Sequence, residues 1–321
     1  VIYYTEKLDG TGYSEEIEDL TGTQGHRADA VVKSITGFTF DENNAGNVLS
    51  GTVDEENLLV LKVYYTRNIY TVTLDKQGGE GGTTTISARY EKAIENITSL
   101  PTKTGYAFAG YFTNTNGQGT RYFDNTGKVD SALSNWTITS NLTLYASWTA
   151  NKYTVTLNAK ANGGNTDDQT IVVTFNGTYA GLEELTAEKT GYAFDGWFTA
   201  QEGGKEVVST DRVEITENTT FYAHFTANTY KVTFDPSEGK VSPTEIDVTF
   251  DAEYPTLPVA TKTGYTFEGW YLDGTKVSAG NTVKTAGHHT LVARYTANTD
   301  TKFTVKYYLQ NLDANKKELA N

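Results

Sequence analysis

The chain has 321 residues and a net charge of −14, from 40 acidic and 26 basic side chains, with neither cysteine nor methionine. The missing thiols exclude disulfides, thiolate nucleophiles and Cys-ligated metals together, and the acidity argues against nucleic acid and anionic lipid as partners. No apolar run approaches the roughly 18 residues a membrane span needs, so no membrane insertion is expected of this segment.

The first four residues, Val1-Ile2-Tyr3-Tyr4, read as a strand already under way. With no methionine to start translation, the chain reads as part of a larger parent. Residues 1–68 carry a charge of −7 and form a first module. It contains Thr36-Gly37-Phe38-Thr39-Phe40 and closes on Leu61-Lys62-Val63-Tyr64-Tyr65-Thr66-Arg67-Asn68. Asp41-Glu42 lies in a polar loop without calcium-loop spacing and is expected to be solvated.

Residues 69–151 are a second module, balanced in charge. Tyr70, Val72 and Leu74 alternate with Thr71 and Thr73, the period-two signature of a half-buried strand. Gly78-Gly79-Glu80-Gly81-Gly82 lacks the Lys-Ser/Thr of a phosphate loop and reads as a flexible turn. The pattern over 88–100 allows one to three turns of helix. Leu100-Pro101-Thr102-Lys103-Thr104-Gly105 has one residue too many for a sortase sorting signal, and no apolar helix follows it. Then comes Thr104-Gly105-Tyr106-Ala107-Phe108-Ala109-Gly110-Tyr111, an insertion within 113–140, and a closing strand Thr143-Leu144-Tyr145-Ala146-Ser147-Trp148 followed by Thr149-Ala150-Asn151.

The same order of elements recurs in residues 152–229 (charge −6) and 230–299. Opening strands start at Tyr153 and Tyr230. The Gly-Tyr-x-Phe-x-Gly-Trp element falls at Gly191–Trp197 and Gly264–Trp270, and the closing strands run over 220–228 and 290–298. Helical turns are allowed over 182–189, but Pro255 and Pro258 limit the third copy to a turn at most. The first Gly suits entry into the strand at positive φ, the aromatic residues concentrate burial in a small core, and the second Gly leaves room for a neighbour or marks a bulge. Residues 300–321 start a further module, because Val305-Lys306-Tyr307-Tyr308-Leu309-Gln310-Asn311-Leu312-Asp313 matches the opening nine residues. The fold class expected is β-rich α+β: tandem modules of four or five strands with a short helical crossover. Four-residue connectors such as Thr149–Lys152 leave little slack, which predicts an elongated, semi-rigid array.

These elements together resemble a known family. Residues 70–299 look like three Listeria–Bacteroides repeats, the B-repeats of internalin-type surface proteins. The resemblance rests on the Gly-Tyr-x-Phe-x-Gly-Trp element and the closing strand, with Tyr111 departing where the other copies have Trp197 and Trp270. Residues 1–68 and 300–321 are similar to the MucBP-like modules found beside such repeats. The resemblance implies β-grasp modules on Gram-positive cell-surface proteins, serving as stalks or adhesive segments, and it supplies no catalytic residues. The lack of disulfide staples in a secreted chain fits that setting.

No constellation for chemistry stands out. His224 shares its slot with Ser147 and Arg294 and is expected at a solvated site. His288-His289 falls in a turn with no further zinc ligands nearby, and Asp167-Asp168 sits in a polar loop. No enzyme activity, cofactor or metal is expected. The exposed strand face with Tyr145 and Tyr222 is a candidate for stacking on a glycan or packing against a protein, with cross-strand pairing as the competing role. Three functions remain open. The chain is an adhesin segment for a host or community glycoprotein, glycan or protein; a passive stalk; or the accessory arm of a large surface hydrolase.

Overall fold

Alternation of apolar and threonine residues sets the strands. In the computed structural model, which describes residues 1–56, 58–130, 135–300, 302–310 and 317–319, Val72 and Leu74 point inward while Thr71 and Thr73 point out. The chain forms two compact units: residues 1–153 with 173–178 and 212–217, and the remainder.

The first 68 residues hold β1 (Ile2–Glu6), β2 (Tyr13–Ile17), β3 (Arg27–Asp29), β4 (Phe38–Phe40), β5 (Ser50–Thr52) and β6 (Lys62–Arg67). Four of them make a sheet in the order β2-β1-β6-β4, with β1 parallel to β6, while β3 and β5 pair separately. Tyr3, Val63 and Tyr65 form its core. Residues 69–150 hold β7 (Ile69–Asp75), β8 (Thr85–Arg89), β9 (Tyr106–Phe112), β10 (Arg121–Phe123) and β11 (Leu142–Ala150), ordered β10-β9-β11-β7-β8.

The next sheet comprises β12 (Lys152–Asn158), β13 (Gln169–Thr174), β14 (Tyr192–Phe198), β15 (Glu206–Val207) and β16 (Thr219–Ala227), ordered β13-β12-β16-β14-β15. The following one comprises β17 (Thr229–Asp235), β18 (Glu245–Thr249), β19 (Tyr265–Leu272), β20 (Thr275–Val277) and β21 (His289–Ala297), ordered β18-β17-β21-β19-β20. In all three five-stranded sheets the opening and closing strands pair in parallel at the centre. Such a pair, buried by neighbours on both sides, needs a long crossover, and the intervening hairpin strands supply it. Near the C-terminus β22 (Tyr308–Gln310) pairs with β23 (Lys317–Leu319); residues 311–316, which include part of the match to the chain's opening, lie outside the described residues.

The aromatic strand of each repeat carries a register shift against the closing strand at its second glycine. Gly110, Gly196 and Gly269 take φ of 128°, 138° and 138°. A Cβ on Gly110 would lie 2.4 Å from the Phe123 carbonyl oxygen, so here the bulge requires glycine. The bulge turns the following ring inward. Trp197 and Trp270 are buried, and their indole N–H groups donate to Leu185 O (2.6 Å) and Pro258 O (2.7 Å).

The helical crossover expected of the class is not there. The described residues contain no α-helix, and the protein is nearly all-β. Residues 182–184 make a single 3-10 turn, entered from Gly181 at φ 89° and left through extended Leu185. Residues 91–97 are held open by the insertion: Glu91 N–H donates to Trp136 O, Trp136 N–H to Lys92 O, and Ile97 N–H to Gly127 O. These bonds take backbone groups that a helix would use internally. Ile94, Ile97 and Thr98 are also β-branched and weak in helices. The insertion contributes Trp136 to the first repeat's core, beside Tyr122.

Candidate functional site

The recurring constellation in this chain is built at the connectors. Asn68, Asn151 and Asn228 each follow a closing strand and precede an opening one. Their N–H groups donate to Gly37 O, Gly105 O and Gly191 O, each at 2.9 Å. Their carbonyls accept from Tyr90 N–H (3.0 Å), Phe175 N–H (2.8 Å) and Phe250 N–H (2.9 Å). Their side-chain amides reach the hydroxyls of Tyr70, Tyr153 and Tyr230 at 3.2–3.3 Å. One asparagine thus ties the glycine of one module to the first hairpin of the next.

A ring covers the same glycine. Tyr90, Phe175 and Phe250 lie edge-on to Phe38, Tyr106 and Tyr192, with centroids 6.1, 5.4 and 5.7 Å apart. The glycines take φ of 80°, 75° and 82°. A Cβ on any of them would come within 2.1–2.4 Å of the covering ring. Both the backbone conformation and the close approach demand glycine. Each covering residue is followed by one in the left-handed region: Glu91 (φ 60°), Asn176 (φ 65°) and Asp251 (φ 62°).

Charges add to two of these junctions. At the first, the Arg67 side chain is only 7% exposed. It donates to Glu6 O, Tyr90 O and Glu91 Oε2 and lies 4.5 Å over the Phe38 ring. Glu6 accepts the Arg67 N–H at 2.9 Å and pairs with Arg89 at 2.5 Å. Burial alone pushes the Glu6 carboxyl up, but the Arg67 N–H and Arg89 outweigh it and hold it below its ordinary value. At the third, the Tyr192 hydroxyl donates to Asp251 at 2.8 Å, and Lys284 pairs with the other oxygen at 2.5 Å. Lys284 first, then Tyr192, keeps the Asp251 carboxyl low.

The open sheet face, the other candidate surface, is internally paired. Tyr145 lies opposite Phe112, and Tyr222 opposite Phe198. His224 is half-buried rather than freely solvated. It stacks on Phe198 at 3.9 Å and 7°, its Nε2 at 3.0 Å from Ala200 O. The equivalent Arg294 lies 4.1 Å over Tyr271.

Comparison with known proteins assigns these modules. The family model described as the Listeria-Bacteroides repeat domain matches three times, at residues 70–147, 153–224 and 230–294, about two thirds of the chain. The chain belongs to this family. It is similar to Internalin H of Listeria monocytogenes, 41% identical over 122 residues, covering 36% of this chain and 22% of that protein. A protein of Evansella cellulosilytica described as a putative membrane protein is 30% identical over 213 residues, 64% of this chain and 28% of its own length. A second from the same organism, described as a putative Gly-rich membrane protein, is 30% identical over 175 residues, 53% of this chain and 20% of its own. The chain therefore spans between a fifth and a little over a quarter of these relatives.

Within these Listeria–Bacteroides repeats the histidines of the third copy have structural partners. His288 Nδ1 accepts the Lys231 N–H at 2.9 Å. In the first and second copies the same bond is made by Asn141 to Thr71 (2.9 Å) and Asn218 to Thr154 (2.8 Å). His289 bridges the Tyr254 hydroxyl (2.6 Å) and Gly287 O (3.0 Å). Among the described residues no three His, Asp or Glu side chains are grouped to hold a metal ion. Asp167 pairs with Lys160 on the surface, and Asp41 accepts from Asn44. The connectors themselves were legible in the sequence as short. Their bonds were not, since the covering rings lie about 22 residues away in the next module.

Proposed function

We propose that this chain is a non-catalytic spacer segment of a longer bacterial cell-surface protein, in which the repeats hold other parts of the parent away from the cell. The observation that carries the reading is the junction built on Asn68, Asn151 and Asn228, whose backbone satisfies a glycine carbonyl on one side and an aromatic amide on the other. A tether that only joined domains would need none of these bonds, since flexible linkers leave their backbone to water. The similarity to Internalin H, and the relatives described as membrane proteins, support the surface location. The strand order around a central parallel pair supports a β-grasp-like module without an α-helix among the described residues. The MucBP-like reading of residues 1–68 rests on their position beside the repeats.

The test uses the parent protein on its own cells. Deleting residues 70–299 is expected to reduce antibody access to the region beyond them, and inserting unrelated rigid repeats of similar length to restore it. Unchanged access after deletion counts against a spacer. An adhesive role, through the aromatic open face at Tyr145 and Tyr222, makes the opposite demand: the isolated chain binds host or community glycans or glycoproteins, and Tyr145→Ala with Tyr222→Ala abolishes that binding.

A further inference from the structure

One acceptor position recurs beside the central parallel pair. In the first repeat the Asn141 side-chain oxygen accepts the Thr71 N–H (2.9 Å), and in the second Asn218 accepts the Thr154 N–H (2.8 Å). Each donor belongs to an opening strand, β7 or β12, and each acceptor is the residue just before a closing strand, β11 or β16. The third repeat fills the position with a different chemistry. Lys231 N–H, on β17, donates to Nδ1 of His288, the residue just before β21, at 2.9 Å. An amide oxygen accepts whatever the pH near neutrality. An imidazole nitrogen accepts only while it carries no proton, and in the imidazolium both ring nitrogens are donors. A backbone N–H cannot reverse its role, so a proton on His288 Nδ1 sets donor against donor and ends the bond. The parallel pairing begins one residue on, at Val232 opposite His289.

The other histidines of the repeats are not placed this way. Gly287 O can only accept, so His289 Nδ1 at 3.0 Å carries a proton, and the Tyr254 hydroxyl, 2.6 Å from Nε2, donates to the neutral ring. Once protonated, Nε2 donates and the Tyr254 oxygen accepts, so both contacts survive. His224, in the second repeat, likewise meets a carbonyl, Ala200 O, through its Nε2. The charges around His288 are already engaged. Lys231 on β17 pairs with Glu245 (2.6 Å) and lies 3.8 Å from Asp247, both on β18. Lys284, in the loop before β21, pairs with Asp251 (2.5 Å). No carboxylate pairs with either histidine among the described residues. His288 is exposed and takes a proton directly from solvent. The Tyr230 ring stands edge-on to it at 6.0 Å, and the Tyr230 hydroxyl accepts from the connector residue Asn228.

We propose that His288 gives the third repeat an acid-triggered release that the first two lack. Protonation of its ring frees the Lys231 N–H at the start of the β17–β21 pair, beside the tyrosine that the Asn228 connector holds. The first and second repeats keep the corresponding bonds, because Asn141 and Asn218 do not titrate. The release loosens one defined end of one sheet and leaves the core around Trp270 in place. The inference stands on the geometry of the third repeat and not on the spacer reading.

The test is an NMR pH titration of the isotopically labelled full chain, from about pH 7.5 to about pH 5, where histidine changes charge. The Lys231 amide resonance is expected to move in step with the His288 ring. Its exchange protection, corrected for the intrinsic pH dependence of exchange, should fall roughly three- to tenfold, the worth of one hydrogen bond. The amides of Thr71 and Thr154 should keep theirs. His288→Asn installs the acceptor of the sister repeats and should hold the Lys231 amide protected throughout. His289→Gln disturbs the Tyr254 contact and should lower the melting temperature at every pH while leaving the acid step at Lys231 intact. A Lys231 amide that stays protected after His288 has titrated overturns the proposal. So does an undiminished acid step in His288→Asn, its disappearance in His289→Gln, or an equal loss at Thr71 and Thr154. Should His288→Asn not fold, the wild-type titration and His289→Gln still decide the matter.

Discussion

The Phe250 ring rests on Gly191. Its nearest atom is 2.4 Å from where a Cβ on that glycine would stand, and Gly191 sits at φ 82°. Gly191→Ala therefore meets two penalties at once. The left-handed conformation alone costs an L-residue about 1–2 kcal/mol, and the ring must also move. The Phe250 N–H, which bonds to Asn228 O, should lose hydrogen-exchange protection in the variant. Protection equal to wild type means the ring is not seated on the glycine.

Asn151 is the corresponding test of the connector. Its side chain reaches Tyr153, but its principal bonds are main-chain, so Asn151→Ala should cost only about 1 kcal/mol. Asn151→Pro deletes the N–H given to Gly105 and should cost several times more, about 3 kcal/mol. Thermal melts of the two variants separate the contributions, and equal melting temperatures would place the connector's strength in the side chain.

How far this was readable in advance follows from the distances involved. Strands such as β7 and β11 were legible because Val72, Leu74, Leu144 and Ala146 alternate within a few residues, a local pattern. The helix expected near residues 88–100 failed because Trp136 and Gly127, tens of residues away, claim the backbone of Glu91, Lys92 and Ile97. The junction was hidden for the same reason. Gly105 and Asn151 are each ordinary, and only the fold brings Phe175 onto them. Tyr145 and Tyr222 were correctly placed away from the core, while their pairing with Phe112 and Phe198 depended on a register set by the bulge.

Tyr111 stands where the other repeats have tryptophan, and its buried hydroxyl has no partner among the described residues. Burial first, and Asp75 second, push its hydroxyl from 10.0 up to about 12. A folded-state pKa above the unfolded one means stability that is fully present below pH 10 and is lost as pH rises toward 12. Tyr111→Phe removes the unsatisfied group and should stabilise the first repeat by about 1 kcal/mol at neutral pH. It should also flatten the alkaline loss. Melts at pH 7 and pH 11 check both, and an unchanged alkaline slope would assign that loss to other tyrosines.

Glu6 gives the acid counterpart. Its folded-state pKa lies below the ordinary 4.5, so its contribution is present above that value and is lost as pH falls through the folded pKa. Glu6→Gln keeps the shape but loses the charge that answers Arg89. It should cost roughly 1–2 kcal/mol at pH 7. The gap between variant and wild type should close well below pH 4.5, where both side chains are neutral. A gap that persists at low pH would show that packing, and not charge, is what the substitution disturbs.

Trp270 and Tyr222 together test the assignment of the two sheet faces. Trp270 is 2% exposed, lies tilted against Phe234 and edge-on to Phe267, and donates its indole N–H to Pro258 O. Trp270→Ala removes a core ring and leaves that carbonyl unpaired, so a loss of about 3–5 kcal/mol is expected for the third repeat. Tyr222 is half-buried on the opposite face, against Phe198. Tyr222→Ala deletes one cross-strand pair, which is worth about 1 kcal/mol or less. Denaturant unfolding of each variant reads the difference directly. If the two losses are equal, the face carrying Tyr222 is as deeply packed as the core, and a surface free to meet a ligand does not exist there.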